Sequence, residues 1–208
     1  MSPRVTIIDY GIGNIKAFYN LYKRQNISVS IAKQAKDLKG SNRLILPGVG
    51  SFDWAMQKLN QSGMNDELNN LVLNKKLPVL GICVGMQMMA NSSEEGKMPG
   101  LGWINGKVKR FEFKEELNTI NLPLPHMGWN DVRPARNHDL FNDLKSPLFY
   151  FLHSYYFCSS SNEDILARSE YGVEFTCAAI KDNVIGVQFH PEKSHQYGMK
   201  LLKNFSNI

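Results

Sequence analysis

Cysteine is scarce in this 208-residue chain, and Cys83, Cys158 and Cys177 cannot all pair off. An odd, sparse set argues for a reducing compartment and against a disulfide framework. No two of them lie at zinc-ligand spacing, so a zinc site of that kind is not expected. No apolar run is long enough to span a bilayer, and Met1-Ser2-Pro3-Arg4-Val5 opens the chain without a secretory core. The chain is therefore expected in the cytoplasm. A long basic stripe interleaved with aromatics is missing too. The net charge of +5 is scattered, densest at Lys107, Lys109 and Arg110 and at Lys75-Lys76, with Glu94-Glu95 and Glu115-Glu116 interrupting it. That reads as solvated faces, or as a match to an acidic protein partner, and not as a nucleic-acid groove.

Two nucleotide signatures are incomplete. Tyr10-Gly11-Ile12-Gly13-Asn14 follows a short strand, but Lys16 stands where a dinucleotide fingerprint needs its third glycine. No acid closes the next strand, Ile27 to Ile31, where a ribose would be held. Pro47-Gly48-Val49-Gly50 is followed by no Gly-Lys-Ser/Thr, so it is not a phosphate loop. Both glycine turns remain open as connectors, partner-facing loops or edges of a site.

What is present is one domain's worth of ordinary globular sequence, 43% hydrophobic and 21% charged, over residues 1–208. Strands are predicted at Val5 to Asp9, Ile27 to Ile31, Arg43 to Leu46 and Pro78 to Leu80. Helices are predicted near Ile15 to Arg24, Ser51 to Asn60, Met64 to Leu73 and from Met86 onward. The strands are apolar without alternation, which marks a mostly parallel sheet covered on both faces. After Ala90 the pattern turns β-rich: Trp103 to Phe113, Met127 to Val132, Phe149 to Phe157, Ile165 to Ser169, Phe175 to Lys181 and Val184 to Phe189. A short helical turn is expected at Asp139 to Leu144. Asp182-Asn183 is a two-residue hairpin candidate. A helix with Met199, Leu201, Leu202 and Phe205 apolar closes the chain from His195 to Asn207. The expected fold class is α/β, a mostly parallel sheet flanked by helices, with added antiparallel strands in the second half.

Leu80-Gly81-Ile82-Cys83-Val84-Gly85-Met86-Gln87 puts a thiol where a strand turns into a helix, with a glycine two residues away on each side. Small neighbours allow the tight turn of a nucleophile elbow, and a helix N-terminus favours thiolate. Alone, Cys83 could be a packed thiol on a turn. Gly186-Val187-Gln188-Phe189-His190-Pro191-Glu192 supplies what such a thiol needs. It offers an imidazole to take and return a proton, and a carboxylate two residues on to hold it. Alone, His190 could be a structural histidine and Glu192 a surface acid. An acyl-transfer site also needs oxyanion donors. The amide of Val84, after the nucleophile, is one candidate, and the amide of Val49 in the Pro47-to-Gly50 loop is a second.

The cysteine and histidine stretches together resemble the class I (triad) glutamine amidotransferases. Asp9-Tyr10-Gly11-Ile12-Gly13-Asn14, Pro47-Gly48-Val49-Gly50-Ser51-Phe52, Pro125-His126-Met127-Gly128-Trp129-Asn130, Phe151-Leu152-His153-Ser154-Tyr155-Tyr156 and Glu192-Lys193-Ser194 narrow the resemblance. They point to the members whose glutaminase subunit serves a cyclase of histidine biosynthesis. The resemblance spans nearly the whole chain. It implies a flavodoxin-like fold and the triad Cys83, His190 and Glu192. It implies glutamine held by Gly48, Gly50, Gln87 and the backbone around Ser154 and Tyr155. It implies a (β/α)8-barrel partner in a heterodimer, met near Asn14, Met127, Trp129, Asn130 and Lys193 and fed ammonia through a channel. No cofactor and no metal are expected. The region Trp103 to Pro125, with Phe111 to Glu116 and Leu122-Pro123-Leu124-Pro125, is more elaborate than that subfamily implies. A related pair for surface-sugar amination is the alternative acceptor system.

Other readings stay open from the residues alone. A different cysteine hydrolase on this fold would keep the elbow but has no need for Gln87, the His190-Pro191-Glu192 unit and the Pro47 loop together. A non-catalytic binding subunit would not need an intact triad. Met127 and Trp129 alternate on a strand and could be core. His153 is either a structural hydrogen bonder or a site group. His126 and His195 read as structural or surface, His138 as surface, and Cys158 and Cys177 as packed thiols.

Overall fold

The computed structural model describes residues 5–113 and 122–208. Glu115 and Glu116, and the middle of the elaborate Trp103-to-Pro125 region, lie outside them. The first half runs β1 (Val5–Ile8), α1 (Ile15–Arg24), β2 (Val29–Ala32), β3 (Arg43–Gly48), α2 (Phe52–Gln61), α3 (Asn65–Asn69), β4 (Val79–Cys83) and α4 (Val84–Met88). The second half runs β5 (Ser92–Ser93), β6 (Gly106–Arg110), β7 (His126–Asp131), β8 (Arg133–Pro134), β9 (Leu148–His153), β10 (Tyr155–Ser159), β11 (Ile165–Tyr171), β12 (Val173–Lys181), β13 (Val184–Val187) and α5 (His195–Phe205).

Strands β2, β1, β3, β4 and β13 lie side by side and parallel. β1 and β4 are buried at every residue, as the unalternating runs require of strands packed on both faces. Strands β12, β10 and β6 continue the sheet antiparallel, and β5 joins its far edge. The α/β expectation is therefore met, antiparallel extension included. The Asp182-Asn183 turn joins β12 to β13 as an antiparallel hairpin, with Lys181 opposite Val184. Helix α1 buries Phe18 and Tyr22, one turn apart, and α5 buries Leu201, Leu202 and Phe205. Met199 on α5 instead faces outward.

Three expectations need correction. The run Phe149 to Phe157 is two strands, not one. β9 pairs with β7 in a separate two-stranded sheet, and after Ser154 the chain enters the main sheet as β10. Its apolar residues carry no glycine or proline, so nothing local marks the break. The predicted helix Met64 to Leu73 is a five-residue α-helix that loosens into a π-turn over Asn70–Asn74. The strand within Trp103 to Phe113 is only Gly106–Arg110.

The register decides where the site falls. Gly48, at the end of β3, pairs with Cys83, at the end of β4. Adjacent β13 runs parallel to β4 and delivers Gln188, Phe189 and His190 at the same edge. Three neighbouring parallel strands thus release their chains at one carboxyl end, where open sheets place their ligands.

Candidate active site

β4 ends at Cys83 and α4 begins at Val84, with no loop between. Cys83 has φ 56° and ψ −115°, a backbone state that an L-residue adopts only when its surroundings hold it there. The glycines beside it permit that state. A Cβ on Gly85 would lie 1.9 Å from the Leu46 carbonyl oxygen, and one on Gly81 would lie 2.7 Å from the Gly85 oxygen. Both clashes are with main chain, so no rotamer relieves them. The Pro47 loop is pressed onto the same turn. A Cβ on Gly48 would come 2.3 Å from the Gly85 nitrogen, and the buried Tyr10 hydroxyl donates to the Pro47 carbonyl at 2.6 Å.

His190 bridges Cys83 and Glu192. Its Nδ1 lies 2.9 Å from Glu192 Oε1, which leaves Nε2 for the cysteine, beside it in the same cavity. Burial works to lower the imidazole's pKa. Hydrogen bonds to Cys83 and Glu192, and their negative charges, outweigh it and push His190 from 6.5 up to about 10. Burial likewise works to raise Glu192, but the His190 cation and the Asn14 amide hold it below the usual carboxylate range. The Asn14 amide donates to Glu192 Oε1 at 2.8 Å. The His190 turn is tied down from behind: its N–H donates to the Tyr150 carbonyl at 2.8 Å, and the buried Ser194 hydroxyl donates to the His190 carbonyl at 2.6 Å. The result is a hydrogen-bonded imidazolium beside a cysteine on a fixed backbone.

A cavity of about 280 Å³ opens onto Cys83 and His190. Val49 and Gly50 border it on one side, and His153, Ser154 and Tyr155 on the other. Gln87 faces it from one turn along α4. Both protons of its amide nitrogen are engaged, on the Tyr155 carbonyl at 3.0 Å and Gln188 Oε1 at 3.1 Å. Its oxygen is the acceptor left to offer. Glu95 also lines the cavity, its carboxylate accepting from the Phe52 N–H at 2.8 Å. Burial, and then Asp53 nearby, raise the pKa of Glu95 against the lowering effect of that hydrogen bond. Among the described residues, no group of His, Cys, Asp and Glu could hold a metal ion, and no helix is long and apolar enough to cross a membrane.

Cys83, His190, Glu192, Gln87, Val49, Val84, Gly50, Ser154 and Tyr155 thus converge as the sequence suggests. Gly48 does not line the cavity; its lack of a side chain serves the contact with the elbow. Asn14 has its amide on Glu192, inside the site, and is not simply an outward contact. Met127 and Trp129 are 66% and 46% exposed, so the core alternative for them is overturned. Asn130, on the same strand, points the other way, into polar contacts with the buried His126 and with the Glu170 carbonyl. Lys193 is exposed, its Nζ 5.5 Å from the centre of the Tyr150 ring. Sequence reasoning missed Glu95, Ser194 and Gln188. Glu95 sits in an acidic pair that reads as solvated surface, and only the fold turns it toward Cys83.

A family model described as "Glutamine amidotransferase class-I" matches residues 6–207. "Imidazole glycerol phosphate synthase subunit HisH" of Bdellovibrio bacteriovorus is 55% identical over 98% of this chain and 100% of its own length. The protein of the same name from Leptospira interrogans is 51% identical over the same shares. Among solved structures, "PurLQS from Thermotoga maritima" superposes with a TM-score of 0.75 at 16% identity, over 100% of this chain and 99% of the other. At that identity it speaks for the fold alone.

Proposed function

The chain belongs to the class-I glutamine amidotransferases, and from that premise we propose that it is the glutaminase subunit of an imidazole glycerol phosphate synthase. It hydrolyses glutamine and hands the ammonia to a synthase subunit in histidine biosynthesis. The observation that carries the reading is His190 held between Cys83 and Glu192 at the mouth of a cavity that Gln87 lines.

In this reading Cys83 Sγ, as thiolate, attacks the side-chain amide carbon of glutamine. The amides of Val49 and Val84 receive the oxyanion. The His190 imidazolium protonates the departing nitrogen, ammonia leaves, and a γ-glutamyl thioester remains on Cys83. Water, losing a proton to His190, attacks the thioester carbon, and glutamate departs as the thiolate returns. Glu192 holds the imidazole in orientation throughout. Gly50, Gln87 and the backbone of Ser154 and Tyr155 hold the substrate, with Gly48 supporting the loop. The Glu95 carboxylate is the natural counter-charge for the α-ammonium group.

Ammonia keeps its nucleophilicity only while sheltered from protonation in water. The acceptor subunit, a (β/α)8-barrel, therefore docks as a heterodimer partner over the face bearing Met127, Trp129, Lys193 and the Asn14 turn, with Asn130 behind it on the same strand. Residues 1–208 act as one domain in the cytoplasm. The free subunit is nearly idle and docking gates its turnover. The test is glutamate release from glutamine with and without the partner subunit. Release should rise strongly on mixing and vanish in Cys83→Ala. Vigorous release by the isolated chain, or release that survives Cys83→Ala, overturns the mechanism.

A further inference from the structure

Beside the pocket lies a run of polar groups, buried at His126 and His153 and half-buried at Asn130, that the hydrolysis as written does not use. Asn130 Nδ2 lies 3.2 Å from His126 Nε2, His126 Nδ1 lies 3.0 Å from His153 Nε2, and His153 Nδ1 lies 2.9 Å from the Tyr155 carbonyl oxygen. The direction of each bond follows from its ends. A carbonyl only accepts, so His153 carries its proton on Nδ1. His126 lies only 3% exposed and His153 only 6%, and both rings are neutral at pH 7 because burial pushes them down to about 4 and about 3. His153 Nε2 is then a bare acceptor, so His126 is also protonated on Nδ1, and its Nε2 accepts from Asn130. The Asn130 amide cannot be turned round. Its nitrogen also donates to the Glu170 carbonyl at 2.7 Å, and its oxygen accepts from the Asp131 N–H at 2.8 Å. Main-chain groups at both ends therefore impose one direction on the whole chain.

The far end of that chain is part of the pocket. The Tyr155 carbonyl accepts from both His153 and Gln87, and Ser154 and Tyr155 line the cavity. We propose that His126 and Asn130 are positioning residues of the glutamine subsite, acting through His153 to fix the Tyr155 carbonyl and, with it, the Gln87 amide. The inference deepens the glutaminase reading and rests on it. Aligned hydrogen bonds in a low-dielectric interior reinforce one another, so an unpaired His153 Nε2 loosens the last link as well as the first. The thiol and its base are not in the chain. Its loss should therefore weaken glutamine binding and spare the chemistry.

His126→Phe keeps the ring packed between Phe151 and Tyr171, 4.9 Å and 4.0 Å away, and removes both nitrogens. His126→Asn restores a donor near Nδ1. In the assembled complex, His126→Phe should raise KM for glutamine about tenfold, the scale of one lost buried hydrogen bond, with kcat within about twofold. The rate of Cys83 alkylation by iodoacetamide should be unchanged, and His126→Asn should recover most of the KM. Nitrogen-15 spectra of the wild-type chain should show both rings neutral and protonated on Nδ1. An unchanged KM, equal KM increases in the Phe and Asn variants, a parallel fall in kcat and alkylation, or Nε2-protonated rings would each overturn the proposal. If His126→Phe does not fold, the wild-type spectra and the Asn variant decide. Failure of the glutaminase reading looks different: the wild-type complex itself would release no glutamate, whatever the spectra show.

Discussion

Two donors, one charged and one neutral, make Glu192 more than a spacer. Its carboxylate accepts from His190 and Asn14 at once, and its charge is one of the forces that lift His190 to about 10. A histidine raised from 6.5 to about 10 keeps its proton through neutral pH and loses it only as the pH climbs toward the higher value. That proton is the one ammonia must take on leaving. Glu192→Gln removes the charge but keeps the size, so the imidazolium should be lost at lower pH. The alkaline limb of kcat should move down by a pH unit or more. Above both limbs a displacement of one unit should lower kcat about tenfold, because the protonated fraction there falls tenfold per unit. A pH–rate series on the complex, wild type against variant, measures both. An alkaline limb that stays in place would mean that Cys83 alone sets the charge of His190.

At the scale of elements, the site depends on how closely three main-chain turns approach. The Leu46–Gly48 end of β3, the Cys83 elbow and the start of α4 meet with no room for a methyl group at Gly85. Gly85→Ala should destabilise the chain by about 3 kcal/mol, the upper part of the range for overpacking, and should slow Cys83 alkylation by iodoacetamide. Urea unfolding and alkylation kinetics on the same sample test the two together. A tolerated, fully reactive Gly85→Ala would show that the elbow does not need the close approach. These turns were largely legible beforehand, because glycines flanking a cysteine between a strand and a helix leave few backbone solutions. The break at Ser154 was not. Tyr150 to Cys158 carries the same apolar composition on both sides, and the two halves differ only in which sheet they join. Glu95 was hidden for a related reason: its role comes from the Asp53 side chain, which accepts from the Lys97 and Met98 N–H groups and folds that loop over α2 toward the pocket.

At the scale of the molecule, the outward face of β7 leaves Met127 and Trp129 exposed as an apolar patch near the mouth of the pocket, where Leu152, opposite Met127, is part of the lining. Met127, at 66% exposure, has little to do in the isolated subunit. Met127→Ala should leave its unfolding free energy within about 0.5 kcal/mol, as for other surface changes. If the patch is where the synthase subunit docks, the same substitution should weaken association tenfold or more. Titration of the partner by calorimetry, beside a urea melt, separates the two, and unchanged affinity would move the interface elsewhere. The strand beneath this patch alternates strictly: His126, Gly128 and Asn130 turn inward, while Met127, Trp129 and Asp131 turn outward. Parity along five or six residues therefore assigns two jobs to one strand. Sliding β7 by a single position against β9, where His126 now faces His153, would turn the imidazole to the outside and bury the tryptophan against the pocket. A one-residue insertion or deletion in this strand is thus an all-or-nothing event, in which docking and substrate binding fail together. Substitutions leave the two free to change separately.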